Sequence, residues 1–327
     1  MNFNKRFNTF IPMRTADFRL STQYRVTPKT LSFKAMTPDD IARTTPFLKL
    51  AGTRACDFTV GGMFMWADWF RYRMCVMNDT LFVKGLAEND LTKAAFSLPV
   101  GKMSLAESVK MLQDYCRRTS QSLILSAVPE ERVEELRQLG ATKIEELPAW
   151  ADYIYDIDSL ASFAGKKMNK KRNHINRFVA EHPDYSLEPV TEANIGEVKE
   201  FFDSLELAEG KSLMAEYDRL QVKEVLNQLS SYPFEGVALR VPGKGIVAFA
   251  FGEVTGDTLV VHIEKMDHTI NGAGEIICRD FAAYMKAKYP QLRYENREDD
   301  AGDEGLRQAK QALNPTCLLK KYNVYFA

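Results

Sequence analysis

Metal-binding and disulfide patterns are absent from this sequence. Its five cysteines (Cys56, Cys75, Cys116, Cys278, Cys317) are scattered and include no C-x-x-C pair. That excludes a zinc ribbon and points to a reducing compartment. The four histidines (His174, His182, His262, His268) have no ligand spacing, so no metal is expected. No apolar run reaches the roughly 18 residues of a membrane-spanning helix, and residues 1–30 lack the apolar middle of a secretion signal. A cytoplasmic chain is expected. No G-x-S-x-G occurs, which removes the serine-hydrolase elbow. "VGKMSLAES" lacks the first glycine of a P-loop and has Met103 where the hydroxyl residue belongs, so it reads as a helix start capped by Ser104. Net charge is also missing, at −1 over 327 residues. Any anion site must be local.

What is present is a rhythm of strands and helices that runs twice. After an expected extension over residues 1–30, the first half begins at "LSFKAM". It continues through a hairpin turning at Asn78-Asp79 and then alternates strand and helix to "ADYIYDI". The second half repeats the order, with a hairpin at Pro242-Gly243-Lys244-Gly245, a strand "DTLVVHIEKMD", a loop "HTINGAG" and a helix "EIICRDFAAYMKAKYP". A hairpin followed by alternating strands and helices predicts α/β units, each a mixed sheet flanked by helices. The boundaries read as 31–157 for the first unit and 158–327 for the second.

Three stretches carry candidate chemistry. Glu264 lies late in the "HIEKMD" strand, where open α/β sheets place ligands, and is a candidate base or amine holder. Strict alternation places His262, Glu264 and Met266 on one face, with Ile263, Lys265 and Asp267 on the other. The next strand ends in "YENREDD". There Glu295 and Arg297 share one face and Tyr294 and Asn296 the other, and six acids fall between Glu295 and Glu304. Glu295, Asn296 and Arg297 form a second cluster suited to gripping an amine. Arg307 and Lys310 follow three apart on one helix face. The third stretch is "GKKMNKKRNHINRF", residues 165–178, with six Lys and Arg and no acid. Lys170, Lys171 and Arg172 are its candidate phosphate grip, whose affinity would fall with salt. A solvated amphipathic face is the alternative.

The element order, with Asn271-Gly272-Ala273-Gly274 between a strand and a helix, resembles the GNAT acyltransferase fold. In that family such a loop holds the pyrophosphate of coenzyme A. A broader resemblance rests on "VVHIEKMDHTINGAGEIICRDFA", "YENREDDAGDEGLRQAKQALNP", "KKYNV" and "KKMNKKRNHINRF". These look like an uncharacterised bacterial family grouped with the C-terminal domain of lysylphosphatidylglycerol synthases. That family has a tandem GNAT-like fold and is distantly similar to the Fem aminoacyl transferases. The resemblance implies two tandem GNAT-like domains, the first degenerate and the second carrying the site. It also implies acyl or aminoacyl transfer to an amine or hydroxyl acceptor. Acyl-CoA or aminoacyl-tRNA would be the co-substrate and no cofactor would be tightly bound; the basic residues 166–177 would then hold either the nucleotide part of the acyl-CoA or the acceptor stem of the tRNA. It further implies that Lys310, Lys320 and Tyr322 border the donor, with Tyr322 protonating a leaving group. With Lys265, Asn296, Arg297 and Arg307, the two lysines make up the substrate-binding set. Direct attack is expected, since no Cys or Ser is placed as a nucleophile. The competing reading is a non-catalytic module of this fold that binds tRNA or another phosphorylated ligand.

Overall fold

The computed structural model describes residues 30–205 and 212–327, so the expected extension lies outside it except for Thr30. The first half supplies β1 (Lys34–Ala35), β2 (Arg73–Met77), β3 (Thr80–Ala87), β4 (Asp90–Phe96), β5 (Val100–Gly101), β6 (Leu123–Pro129) and β7 (Ala141–Glu146). The strands β8 (Asp152–Asp156), β9 (Ser186–Pro189), β10 (Glu235–Val241), β11 (Gly245–Thr255), β12 (Thr258–Met266), β13 (Tyr294–Asn296) and β14 (Cys317–Leu319) follow, and β15 (Lys321–Phe326) ends the chain. The helices are α1 (Ile41–Leu48), α2 (Val60–Phe64), α3 (Leu105–Arg118), α4 (Glu130–Gln138), α5 (Ile157–Ser162), α6 (Asn169–Glu181), α7 (Ile195–Ser204), α8 (Leu213–Asn227), α9 (Ala273–Lys288) and α10 (Glu304–Gln311).

Local chemistry sets several of these boundaries. Asn78 and Asp79 both take left-handed backbone angles, which matches the tight β2–β3 turn closing at Met77 and Thr80. Ser104 and Glu107 form the reciprocal capping box that starts α3. Gly243 and Gly245 supply the positive φ that turns β10 into β11.

Two mixed sheets result, ordered β1-β2-β3-β4-β6-β15-β7 and β14-β8-β13-β12-β11-β10-β9. They repeat one plan. In the first, β4 runs parallel to β6, and β15 inserts between β6 and β7, antiparallel to both. In the second, β12 runs parallel to β13, and β8 inserts between β13 and β14, antiparallel to both. The inserted strands are exchanged. β8 ends the first half yet completes the second sheet, and β15 ends the second half yet completes the first. The sheets therefore do not divide at residue 157, as the expected units 31–157 and 158–327 would require. Backbone pairing is satisfied across the halves, and residues Leu31–Ala327 form one compact unit. One apolar core also spans the halves, joining Met63, Phe64, Met74 and Val83 to Phe249, Phe251 and Ile263.

Two details of the second sheet position chemistry. The β12–β13 pairing stops at Val260↔Asn296, so residues 261–266 run on without β13 beside them. In addition, β11 pairs Phe251 with Ile263 but Gly252 with Val261, leaving His262 as the extra residue of a bulge. The bulge resets the alternation. It turns His262 toward α2 while Glu264 faces α9, so the expected shared face of His262 and Glu264 does not exist. Bulges recur beside functional sites because they re-aim a side chain in this way.

Candidate active site

On the α9 side of β12 and β13, three of the sequence candidates meet. The Arg297 guanidinium lies 2.6 Å from Glu264 and 2.9 Å from Glu295, and it donates to the Cys278 thiol at 3.2 Å. All are buried or nearly so, and one oxygen of each carboxylate, Glu264 Oε2 and Glu295 Oε2, has no hydrogen-bond partner among the described residues. One guanidinium thus faces two carboxylates. Burial pushes the Glu295 carboxyl up to about 7, with the Glu264 charge adding to the shift and Arg297 opposing it.

On the opposite side lies a larger acidic cluster, assembled by the strand exchange. Lys321, the first residue of β15, is fully buried, with its ammonium 2.6 Å from Asp152 and 2.7 Å from Asp57. Asp299 is 3.8 Å away and the Cys56 thiol 3.4 Å away. Asp152 also accepts from the Cys56 amide and from the Asn296 side chain, both at 2.8 Å. Burial pushes Asp299 up to about 7 against the pull of Lys321. Burial likewise raises Asp57, and raises Glu88 far above the carboxylate range. Cys56, Asp57 and Asp152 converge as metal ligands can, but the Lys321 ammonium occupies their centre.

Beside Lys321, His262 contacts Glu298 at 2.7 Å through Nδ1 and Glu253 at 2.9 Å through Nε2. Six carboxylates (Asp57, Glu88, Asp152, Glu253, Glu298, Asp299) thus crowd three cations, Lys321, His262 and Lys310. The cluster is not sealed. The Asp57, Asp299 and Glu298 side chains keep 16%, 17% and 22% exposure. Glu298 and Asp299 follow directly on the carboxyl end of β13, beside the bulge of its parallel neighbour β12, and open α/β sheets bind ligands near such strand ends.

The anion grip expected from the glycine turn and the basic segment is not formed. The two are neighbours, but they close on each other. A Cβ on Gly272, which has φ +87°, would lie 2.6 Å from the His174 carbonyl oxygen and 2.9 Å from Phe178 Cβ. The α6 helix thus covers the turn, and Gly272 and Ala273 are buried, although Asn271 is exposed and Gly274 is half-buried. Glu275, in the first turn of α9, is 3.0 Å from both Lys171 and His174, so the chain's own carboxylate meets the positive helix end. Arg172 donates to the Phe163 and Gly165 carbonyls and to Asn169, closing the chain after α5. Arg177 pairs with Glu181. Lys170 remains on the exposed surface.

The other sequence candidates separate. Asn296 reaches the acidic cluster. Lys265 pairs with Asp218 of α8, on the face away from Glu264. Arg307 clasps Asp300 through two nitrogens, and Lys310 donates to the Asp299 carbonyl, so both brace the 299–300 loop. Lys320 lies at the surface, 3.6 Å from Glu146. Tyr322, on the first sheet, donates to Glu130 at the start of α4, and burial and that carboxylate push its hydroxyl up to about 12. A leaving-group acid is therefore not placed there: β15 turns Tyr322 outward and Lys321 inward. Sequence reasoning missed Lys321, Asp57, Asp152, Asp299 and Glu298. One signal was readable, because Lys321 and Asn323 alternate with Tyr322 on a strand and share its buried face.

The family model described as phosphatidylglycerol lysyltransferase, C-terminal, matches residues 48–325. A conserved protein of unknown function from Bacteroides thetaiotaomicron is 31% identical, with a TM-score of 0.79 over 91% of this chain and 100% of that one. The structure of L-PGS from Bacillus licheniformis is 15% identical, with a TM-score of 0.58 over 87% and 91% of the two chains. FemX is 9% identical, with a TM-score of 0.54 over 90% and 97%. At these identities the latter two show the fold alone. An uncharacterised protein of Mycoplasmoides gallisepticum is 19% identical over 176 residues, 53% of this chain and 55% of that protein, so the match spans about half of that relative.

Proposed function

This chain belongs to the phosphatidylglycerol lysyltransferase C-terminal family, a family of aminoacyl transferases, and we propose that it moves an aminoacyl group from a charged tRNA to a hydroxyl or amine acceptor. The observation that carries the reading is the excess of carboxylates around Lys321, at the carboxyl end of β13 beside the bulge of β12. Buried carboxylates without cations are costly, so the cluster favours a ligand that brings positive charge. The free ammonium of an aminoacyl ester supplies it. With that ammonium against Asp57, Asp299 and Glu298, the ester carbonyl is held next to the acids. The acceptor attacks this carbonyl directly, a new acyl bond forms, and the bond to the tRNA ribose oxygen breaks. Asp299, which titrates near neutrality inside the cluster, takes the acceptor's proton and returns it to the leaving oxygen.

A tRNA ester is favoured over a coenzyme A thioester because α6 and Glu275 cover the glycine turn that would cradle a pyrophosphate. The unpartnered oxygens of Glu264 and Glu295 favour a second assignment of the base, to that pair.

The test is a transfer assay with tRNA charged with labelled amino acids, offered to lipid extracts and to small amines. Wild type transfers label, and Asp299→Asn loses about 100-fold or more in turnover with tRNA binding kept. The same loss in Glu295→Gln but not in Asp299→Asn moves the base to the Glu264–Glu295 pair. Binding of charged tRNA with no transfer to any acceptor favours the non-catalytic module.

A further inference from the structure

Glu298 has two features that the cluster's other acids lack. Its backbone is left-handed, with φ +58°, a conformation that costs a non-glycine residue energy and persists only where its surroundings enforce it. The enforcement is visible. The Glu298 amide donates to the Asn296 side chain at 2.7 Å, and its carbonyl accepts from the Tyr153 amide at 3.0 Å. Its carboxylate, the most exposed in the cluster around Lys321, is fixed by His262 at 2.7 Å.

His262 is itself tightly held. Its ring stacks on Phe234 with centroids 5.2 Å apart. Gly61 of α2 lies against its other side, where a Cβ would come within 2.3 Å of the ring. The Gly61 amide donates at 2.7 Å to Glu253 Oε1, the oxygen that also meets His262 Nε2. A neutral imidazole has one donor and one acceptor, so facing carboxylates through both nitrogens is satisfied when both carry protons. Among the described residues, the titratable side chains that hydrogen-bond the ring are Glu253, from β11, and Glu298, from the segment after β13, while Phe234 and Gly61 carry no charge.

We infer that Glu298 is the specificity-determining carboxylate that reads the ammonium of the aminoacyl group, and that His262, as an imidazolium seated on Gly61, is its positioning residue. The inference rests on the aminoacyl reading above. Strain and a buried cation thereby hold one partly exposed carboxylate in a single orientation. A preset partner loses little freedom when a ligand binds.

The experiment is calorimetric titration with two amino-acid amides, lysinamide and N-acetyl-norleucinamide, which carries no ammonium, together with nitrogen-15 NMR of the histidine rings. Wild type binds lysinamide and not the neutral amide, and the His262 ring shows both nitrogens protonated at pH 7.5. Glu298→Gln weakens lysinamide by at least about tenfold, the scale of one charge-assisted hydrogen bond. Gly61→Ala displaces the ring without changing any charge and produces a similar loss with an altered ring signal. If it fails to fold, His262→Gln replaces it. Lysinamide affinity unchanged in Glu298→Gln overturns the assignment of Glu298. A neutral His262 ring at pH 7.5 overturns its positioning role. No amide binding by wild type overturns the aminoacyl reading itself, and the ring signal still reports on His262 separately.

Discussion

Replacing Lys321 with Met keeps most of the apolar stem of the side chain and removes the ammonium. In the structure that charge is 2.6 Å from Asp152, 2.7 Å from Asp57 and 3.8 Å from Asp299, with about 1% of the side chain exposed. Breaking a buried pair by deleting one partner costs about 3–5 kcal/mol, because the other charge stays behind. That is a large share of the roughly 5–15 kcal/mol that holds a domain folded. The acids limit the damage by taking up protons, and Asp299 is already near neutrality in the wild type, at about 7. The loss should therefore be largest at pH 8 and smaller at pH 5, where the abandoned carboxyls are protonated at less cost. Urea denaturation followed by circular dichroism at the two pH values measures both numbers, with Lys321→Arg as the charge-preserving control. A loss under about 1 kcal/mol at pH 8, with no dependence on pH, would refute the claim that Lys321 neutralises this cluster.

Three further outcomes are expected. The carboxylates around His262 outweigh its burial and raise its pKa from 6.5 to about 9. The stability it contributes, as much as about 3 kcal/mol, is thus fully present below about pH 6.5 and is lost as pH rises through about 9. His262→Gln should flatten that limb of a stability–pH curve. Glu295 is shifted in the same direction: it keeps its proton to about 7 when folded and to about 4.5 when unfolded. Stability should fall between those values as pH rises, and Glu295→Gln should remove the slope in the same denaturation series. Gly272→Ala should cost about 1–3 kcal/mol through its left-handed backbone and its collision with His174 and Phe178. It should leave affinity for coenzyme A unaltered, because the turn packs a helix and does not cradle a phosphate.

Much of the architecture could be read from residues alone, because hairpins and amphipathic helices are local. The Asn78-Asp79 turn and the Ser104 cap are examples. The strand exchange could not be read this way. Nothing near Lys321 indicates that β15 will pair with β6 and β7, so the deepest charge cluster stayed hidden until Asp57, Asp152 and Lys321 were brought together across the chain. The Glu264, Glu295 and Arg297 cluster was legible because β12 and β13 are consecutive strands of one sheet. The bulge at His262 was not, since a single inserted residue has no signature in alternation and reverses the face of everything beyond it. The basic stretch misled because charge density was visible while its partners were distant in sequence: Glu275 for Lys171, and backbone carbonyls for Arg172.

The central claim is that positive charge on the aminoacyl group is what the acids around Lys321 recognise. Single-turnover transfer from aminoacyl-tRNA, compared with the same tRNA after acetylation of the α-amino group, measures this directly when the amino acid has no other charge. Transfer from the free-amine donor, with loss of about 100-fold or more on acetylation, is the predicted result. Equal transfer from both donors would contradict it.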